Sequence, residues 1–543
     1  MNIKCQYANR SKTSVLLTVE GVLQGQSVNL LVDPGPGVDV DGLLGQDEYL
    51  TGILLTHLHM DHYATLGENM RDGAPVYTSQ TNIDLLDVAV DDANNFVDTA
   101  IDKSEIKRSA TPVDDGVTIG GKIDITAVPA GHTPGAIGFY LELSSGGETE
   151  SILITGDFTR RPVAGYPGLP PVDADLVVLT GATEADFEDN LTEAVATTIR
   201  QGLSGSPALV TATALNAVHF ATVLGTAIEE GDFEMGVSVV GKAAKMLDKL
   251  DLTPPHVTAI PKYAPEAVLS ENPITITGPD LPTEGGARKL FRQIKDDPNA
   301  GAILLSGDEE ADIGSYNCTL NQFRFSNHPT ETTVDEYIEL VNPREIYLTH
   351  QKGSELRRYR DKYSAIVWAP RERKCYTLYR NGEWVAPFWV KDKAAKHLLK
   401  TTQERSNIEF RPAEGHTLDA LDDVSLAAEG LDMSSITFSK PSHPVDAKYN
   451  TTSGAEPKPI RTDGAVAETP TAENTPPAPK SERVLEIESA IAHLEELKEE
   501  ITDDTTVATV EKVTSKHVLL RPINGGTEGI AAGDTIEIGR SRS

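Results

Sequence analysis

The sequence predicts an α/β body followed by a tail of different composition. Two observations carry the first part. Apolar runs of β-forming residues recur from Met1 to about Val390, as SVNLLVDPG, GILLTH, KIDITAVPA, SILITGD, ADLVVLTG, SPALVTAT, AGAILLSGD and EIYLTH. Helix-patterned segments lie between some of them, and strand–helix–strand repetition implies packed α/β layers. In LTEAVATTIRQGL, the residues Leu191, Val195, Ile199 and Leu203 share one face; AVHFATVLGTAIEEG and TVDEYIELV read as two further amphipathic helices. The chain has 543 residues, ample for a buried core and for about two to four domains.

Past Asp392 the periodicity weakens. KDKAAKHLLKTTQE fits a short helix, and no clear period follows it. From Pro441 the composition turns to Pro, Thr, Ala, Ser and Glu, which cannot bury enough apolar surface to fold, so residues 441–481 read as a disordered linker. SERVLEIESAIAHLEELKEEI then places Val484, Ile487, Ile491, Leu494 and Ile501 near heptad spacing. That stripe fits a short coiled coil, and equally a helix packing on its own tail module. The last segment alternates apolar and polar residues in TTVATVEKV, KHVLLRPI and DTIEIG, with NGG and AAGD between, which predicts a small antiparallel β unit.

Net charge is −34, from 48 Lys and Arg against 82 Asp and Glu. The acids are spread through the body, in DVDVDG, VDDANN, DFEDN, IEEGDFE and LDDV, not collected in a tail. Such a surface suits a cytoplasm at molar salt, where the Debye length is about 3 Å and self-repulsion is screened. An ordinary, highly solvated acidic surface is the alternative. Either way the charge says little about the ligand, although acidity normally argues against nucleic acid. No run of about 18 apolar residues occurs, so no membrane span is expected. MNIKCQYANRSKTS has no apolar core of a secretory signal. Three widely spaced cysteines exclude a disulfide framework and a cysteine zinc site, and fit a reducing cytoplasm.

The strongest chemical signal is Thr56-His57-Leu58-His59-Met60-Asp61-His62, directly after the strand-like GILL. Three histidines and an aspartate within six residues would rarely arise by chance in a chain with 13 histidines. Imidazole and carboxylate are the ligands expected for Zn²⁺. His132 in AVPAGHTPG, Asp157 in SILITGDF and His350 in EIYLTHQ each follow an apolar β run, so each can reach the same rim. Two sites sharing a carboxylate would put metals about 3.5–4 Å apart, suited to an in-line displacement. Asp33, ending NLLVD, is either an outer hydrogen-bonding partner of that site or an ordinary turn aspartate.

These residues resemble the metallo-β-lactamase fold, an αββα sandwich with a dinuclear metal site at its rim. The resemblance implies that His57, His59 and His132 bind one zinc. It implies that Asp61, His62 and His350 bind the other, with Asp157 bridging. Two zinc ions per chain are the expected cofactor, with manganese as the alternative. The long insertion after Asp157, closing with RFSNHPT and NPREIYLTHQ, is similar to the β-CASP subgroup of RNA- and DNA-processing nucleases. That subgroup includes ribonuclease J and archaeal cleavage-and-polyadenylation-factor-like proteins. Its Ser-x-His motif matches Ser326-Asn327-His328 and implies that His328 stands near the scissile phosphate.

The implied layout has a metallo-β-lactamase part over 1–188, a β-CASP-like insertion over 189–325 and the return over 326–395. A weakly patterned extension (396–440), the linker (441–481), the helix (482–502) and the β module (503–543) complete it. The implied function is cleavage of single-stranded RNA, or of DNA, with catalytic roles for Asp61, Asp157 and His328. Two alternatives compete: hydrolysis of a small ester, thioester or lactone, and a non-catalytic RNA-processing subunit. The chain departs from the subgroup at Gly181-Ala182-Thr183, where an acid is usual two residues before the threonine. It departs again at ALNAVH, where a Gly-Arg pair is common. Arg160, Arg161, Lys242, Lys245, Arg288, Arg324 and Arg357 could hold phosphates, but each reads individually as a solvated surface charge. The tail helix offers a route to a homo-oligomer.

Overall fold

In a computed structural model, the described residues are 1–96, 102–307, 313–351, 353–360, 362–370, 372–391 and 416–436, with three strands beyond 507. Two large sheets face each other. The first has eight strands, in the order Glu383–Trp384, Tyr376–Arg380, Asn2–Tyr7, Val15–Leu23, Gln26–Val32, Gly52–Leu54, Val76–Thr78 and Ala110–Pro112. The second has seven, in the order Ile366–Trp368, Glu345–Thr349, Leu176–Thr180, Glu148–Ile154, Ile137–Ser145, Ile123–Pro129 and Val117–Ile119.

Alternation along each strand sorts side chains between the layers. Leu17 and Leu30 point inward and pack with Phe139, Leu141, Ile152 and Tyr347 of the other sheet. Their neighbours Leu16 and Leu31 point outward, into a cluster with Leu85 and Val88 of the helix Gln80–Phe96. On the far side, Val177, Leu179 and Leu348 meet Val334, Tyr337 and Ile338 of the helix Glu331–Val341. The layers therefore run helix, sheet, sheet, helix, the expected αββα sandwich.

Two neighbouring parallel strands of the second sheet, Leu176–Thr180 and Glu345–Thr349, are far apart in sequence. Between them the chain builds a six-stranded sheet with parallel pairing throughout, ordered Val257–Ile260, Val237–Val240, Ile274–Thr277, Ala208–Ala212, Gly301–Ser306 and Thr319–Arg324. Helices Phe187–Leu203, Ala214–Glu230, Lys242–Lys249 and Gly285–Ile294 cover it. The insertion is joined to the body by apolar packing of Leu85 and Leu86 in the same cluster as Met246 and Leu247. Lys249 adds an ion pair to Asp87 at 2.9 Å.

Two sequence expectations are corrected. Leu203 does not share the buried face of its helix; it is 44 % exposed at the last turn, where the chain is already leaving the sheet. The helix Ala214–Glu230 is not amphipathic in its setting. It is buried nearly all round, including Asn216, His219 and Thr222, because layers pack on both its sides.

Residues 416–436, in a stretch read as weakly patterned, bury Leu426, Leu431 and Ile436 against the core of the insertion. In the separate C-terminal unit, Ala508–Val513, His517–Pro522 and Ile536–Glu537 form an antiparallel three-stranded sheet. The expected linker over 441–481, the helix over 482–502 and nearly all of KDKAAKHLLKTTQE lie outside the described residues. No described helix is long and apolar enough to cross a membrane.

Candidate metal centre

The histidine motif follows the strand Gly52–Leu54, and His59 is the residue ahead of the short helix Met60–Tyr63. His132 follows Ile123–Pro129, Asp157 follows Glu148–Ile154 and His350 follows Glu345–Thr349. Four strand ends thus deliver their side chains to one rim. Asp33, His132 and His350 adopt left-handed backbone, at φ 50°, 59° and 58°. Each such residue costs about 1–3 kcal/mol, and such strain gathers at functional sites. Main-chain bonds hold two of them, Asp33 N–H to Leu54 O at 2.9 Å and His350 N–H to Lys12 O at 2.9 Å.

The seven residues expected as ligands come together. Ligand atoms of His57, His59 and His132 lie within 4.8 Å of one another, and so do those of Asp61, His62 and His350. His132 Nε2 stands 3.0 Å from His59 Nδ1, near the roughly 3.3 Å separating two nitrogens on a tetrahedral zinc. Between the two groups sits Asp157, nearly fully buried. Its Oδ2 is 3.3 Å from His62 Nε2 and its Oδ1 is 3.1 Å from His350 Nδ1.

Outer partners fix the ring orientations. Thr56 Oγ1 donates to Asp33 Oδ2 at 2.8 Å, so towards His57 Nδ1, 3.0 Å away, it can only accept. His57 therefore carries its proton on Nδ1 and turns a bare Nε2 into the site. Asp33 Oδ2 accepts from His62 Nδ1 at 2.9 Å, and Asn327 O accepts from His132 Nδ1 at 2.6 Å. The Nε2 atoms of His57 and His62 are buried without a hydrogen bond. The bare, orphaned Nε2 of His57, in a rim that also holds the buried Asp157 carboxylate, fits a divalent metal ion of the zinc class.

Electrostatics agree with the geometry. Burial, with neighbouring imidazoles, pushes His57 and His132 well below the usual histidine range. Burial alone would also lower His62, but Asp157, Asp61 and Asp33 outweigh it and raise it well above that range. The same three carboxylates favour any cation among them. Burial opposes ionisation of Asp157, yet His350 and His62 hold it well below the ordinary carboxylate value. Asp61 is half exposed and opens the site to solvent.

His328 joins the site from the insertion's return. Its ring is 4.8 Å from that of His132 and 6.1 Å from that of His350, and its Nδ1 is buried without a hydrogen bond. Burial pushes its imidazole down to about 4. The missing acid has a physical counterpart. A Cβ at Gly181 would lie 2.3 Å from Gln351 Cγ, and Gln351 donates to Gly181 O, so this space is filled. Glu184 does not substitute. Its carboxylate is ion-paired with Arg324 at 2.6 Å, and its N–H donates to Pro329 O at 3.0 Å.

The sequence of residues 28–178 matches the family model for the beta-lactamase superfamily domain. The chain is 30 % identical over 138 residues to ribonuclease TTHA0252 of Thermus thermophilus, covering 24 % of this chain and 31 % of that protein. It is 31 % identical over 154 residues to the DNA cross-link repair 1A protein of Gallus gallus, covering 28 % of this chain and 14 % of that one. A beta-lactamase superfamily domain thus lies over residues 28–178 of this chain. Its matches span less than a third of the length of these curated relatives. In fold, it is similar to a crystal structure of a protein of unknown function from Enterococcus faecalis V583, with a TM-score of 0.50 at 14 % identity over 70 % of this chain and 100 % of that one.

Several residues around this site were missed by sequence reasoning. Thr180 Oγ1 donates to Asp157 Oδ1 at 2.8 Å, and nothing local marks that threonine. Arg161, read as a solvated charge, is mostly buried. It pairs with Glu188 at 3.0 Å and lies over the Phe187 ring at 4.6 Å. Glu429 is fully buried and accepts from His219 Nε2 at 2.9 Å, Gly165 N–H at 2.9 Å and Ala164 N–H at 3.2 Å.

Burial opposes ionisation of Glu429, but His219 and the two amides prevail and lower its pKa. A lowered folded value adds stability that is complete above the unfolded value, about 4.3, and is lost as pH falls through the folded one. Glu429→Gln is therefore expected to lower Tm at neutral pH, and the gap from wild type should close as pH falls below about 4. Thermal melts across that range check it.

Proposed function

We propose that this chain is a zinc-dependent nuclease that cuts single-stranded RNA, with DNA as its second substrate class. The observation that carries the reading is the paired ligand clusters meeting at buried Asp157, with His328 standing beside them. The two relatives, a ribonuclease and a DNA cross-link repair protein, support a nucleic acid over a small ester.

In this reading His57, His59 and His132 would hold one zinc and Asp61, His62 and His350 the second, with Asp157 offered to both. Zinc bound there would supply Lewis-acid stabilisation of phosphoryl charge and an activated water. The chain's own residues do the rest. Asp33 and Thr56 keep the imidazole nitrogens turned into the site. Asp61, half open to solvent, faces the entering water. His328, with a neutral ring that keeps one N–H, donates a hydrogen bond to a phosphate oxygen or to the leaving oxygen.

Labelled single-stranded RNA and DNA, with a thioester and lactone panel, test this in molar potassium chloride. RNA cleavage with an inert ester panel supports it. Ester turnover without nucleic-acid cleavage would transfer the site to the small-ester reading, and metal without turnover would favour a non-catalytic subunit.

The dispersed acids support a halophilic, cytoplasmic setting. With a net charge of −34, Tm should then rise as potassium chloride goes from about 0.1 M to molar levels, where screening shortens to about 3 Å. A flat or falling Tm would contradict it. The heptad-like stripe over 482–502 supports a homo-oligomer, or equally packing on its own tail module, and sedimentation of the full chain separates the two.

A further inference from the structure

Residues 416–436 cross the seam where the insertion meets the body, and their contacts lead to the metal centre. Leu421 N–H donates to Gly165 O at 3.0 Å, and Asp432 N–H donates to Thr192 Oγ1 at 3.2 Å. Between these points Glu429 is anchored by His219 and the 164–165 amides. The main-chain oxygen of Glu429 accepts from Arg161 Nη1 at 3.3 Å. Arg161 Nη2 donates to Asn327 Oδ1 at 3.2 Å. Asn327 then brackets His132 on both sides: its Nδ2 donates to His132 O and its main-chain O accepts from His132 Nδ1, each at 2.6 Å.

We infer that residues 416–436 are a strap that holds His132 in register for metal through Arg161 and Asn327. The inference rests on the metal reading of His132 proposed above. Arg161 and Asn327 are positioning residues: neither stands among the ligand clusters, and both set where a ligand ring points. Histidine ligands depend on such outer partners, whose loss typically costs about 10–100-fold in metal affinity. The planar fork of Arg161 lets one side chain reach Glu188, Glu429 O and Asn327 together, which a lysine cannot reproduce.

The strap carries its own point of control at Gly430. Its φ is +92°, and a Cβ there would lie 2.7 Å from Glu188 Cγ and 3.2 Å from Arg161 Cδ. Alanine at 430 is thus strained in backbone and collides with the Arg161–Glu188 pair. Either the strap lifts or the Arg161–Glu188 pair shifts, and both outcomes disturb the relay at a distance from the ligands.

Zinc affinity of the metal-stripped full chain, measured by competition with a chromophoric chelator, tests the strap without any activity assay. Gly430→Ala and Asn327→Ala should each bind zinc roughly tenfold or more weakly than wild type. Arg161→Lys, which keeps the charge, supplies the reading if Gly430→Ala fails to fold, and it should be weaker too. Lower Tm with zinc affinity unchanged across these variants would make the strap merely structural and overturn the inference. A wild-type chain that binds no zinc overturns the metal reading and the strap with it, a different outcome from unchanged affinity.

Discussion

Asp157→Ala is expected to lower RNA cleavage by roughly 10³-fold or more, and to reduce bound metal below that of wild type. Asp157 stands between the two ligand groups, with Oδ2 facing His62 and Oδ1 facing His350 and Thr180. Removing it takes away a buried carboxylate that also lies within 4.8 Å of ligand atoms of His132 and His328. It also leaves His62 and His350 without the carboxylate that most strongly favours their charged forms. Metal content and single-turnover cleavage, measured on the same protein, check both halves. An active variant with full metal would show that Asp157 bridges nothing.

His328→Ala should separate chemistry from metal binding. Cleavage is expected to fall about 10²–10³-fold, the usual cost of removing one positioned hydrogen-bond donor, while bound metal stays at the wild-type level. The ring of His328 lies against His132 and His350, but the family pattern gives it no ligand role, and its Nδ1 has no hydrogen bond of its own. Loss of metal in His328→Ala would instead make it a ligand. That outcome is open to the geometry, since its ring nitrogen lies within 4.8 Å of ligand atoms of His132 and Asp157.

Legibility in the sequence followed locality. His57, His59, Asp61 and His62 share one loop after one strand, so spacing alone proclaims them. His132, Asp157 and His350 each end an apolar β run, and strand ends on one edge of a sheet converge. Asp33 was visible for the same reason. Arg161 was misread because a lone arginine in sequence carries no sign of Glu188, Asn327 and Phe187 closing around it. Glu429 was beyond reach: its donors are His219 and the amides of 164–165, more than 200 residues away in the chain. The helix Ala214–Glu230 looked two-faced because its burial depends on layers that only the folded insertion supplies. Leu203 obeyed the helical period but not the packing, since its helix outruns the sheet beneath it.

The central claim is that this rim is a dinuclear metal centre which cuts nucleic acid. One preparation of the wild-type chain, purified in molar potassium chloride, tests it by metal content measured beside cleavage of labelled single-stranded RNA. The account predicts about two zinc ions per chain and cleavage that a chelator abolishes and zinc restores. Two metals with no cleavage of RNA or DNA, or cleavage indifferent to the chelator, would contradict it.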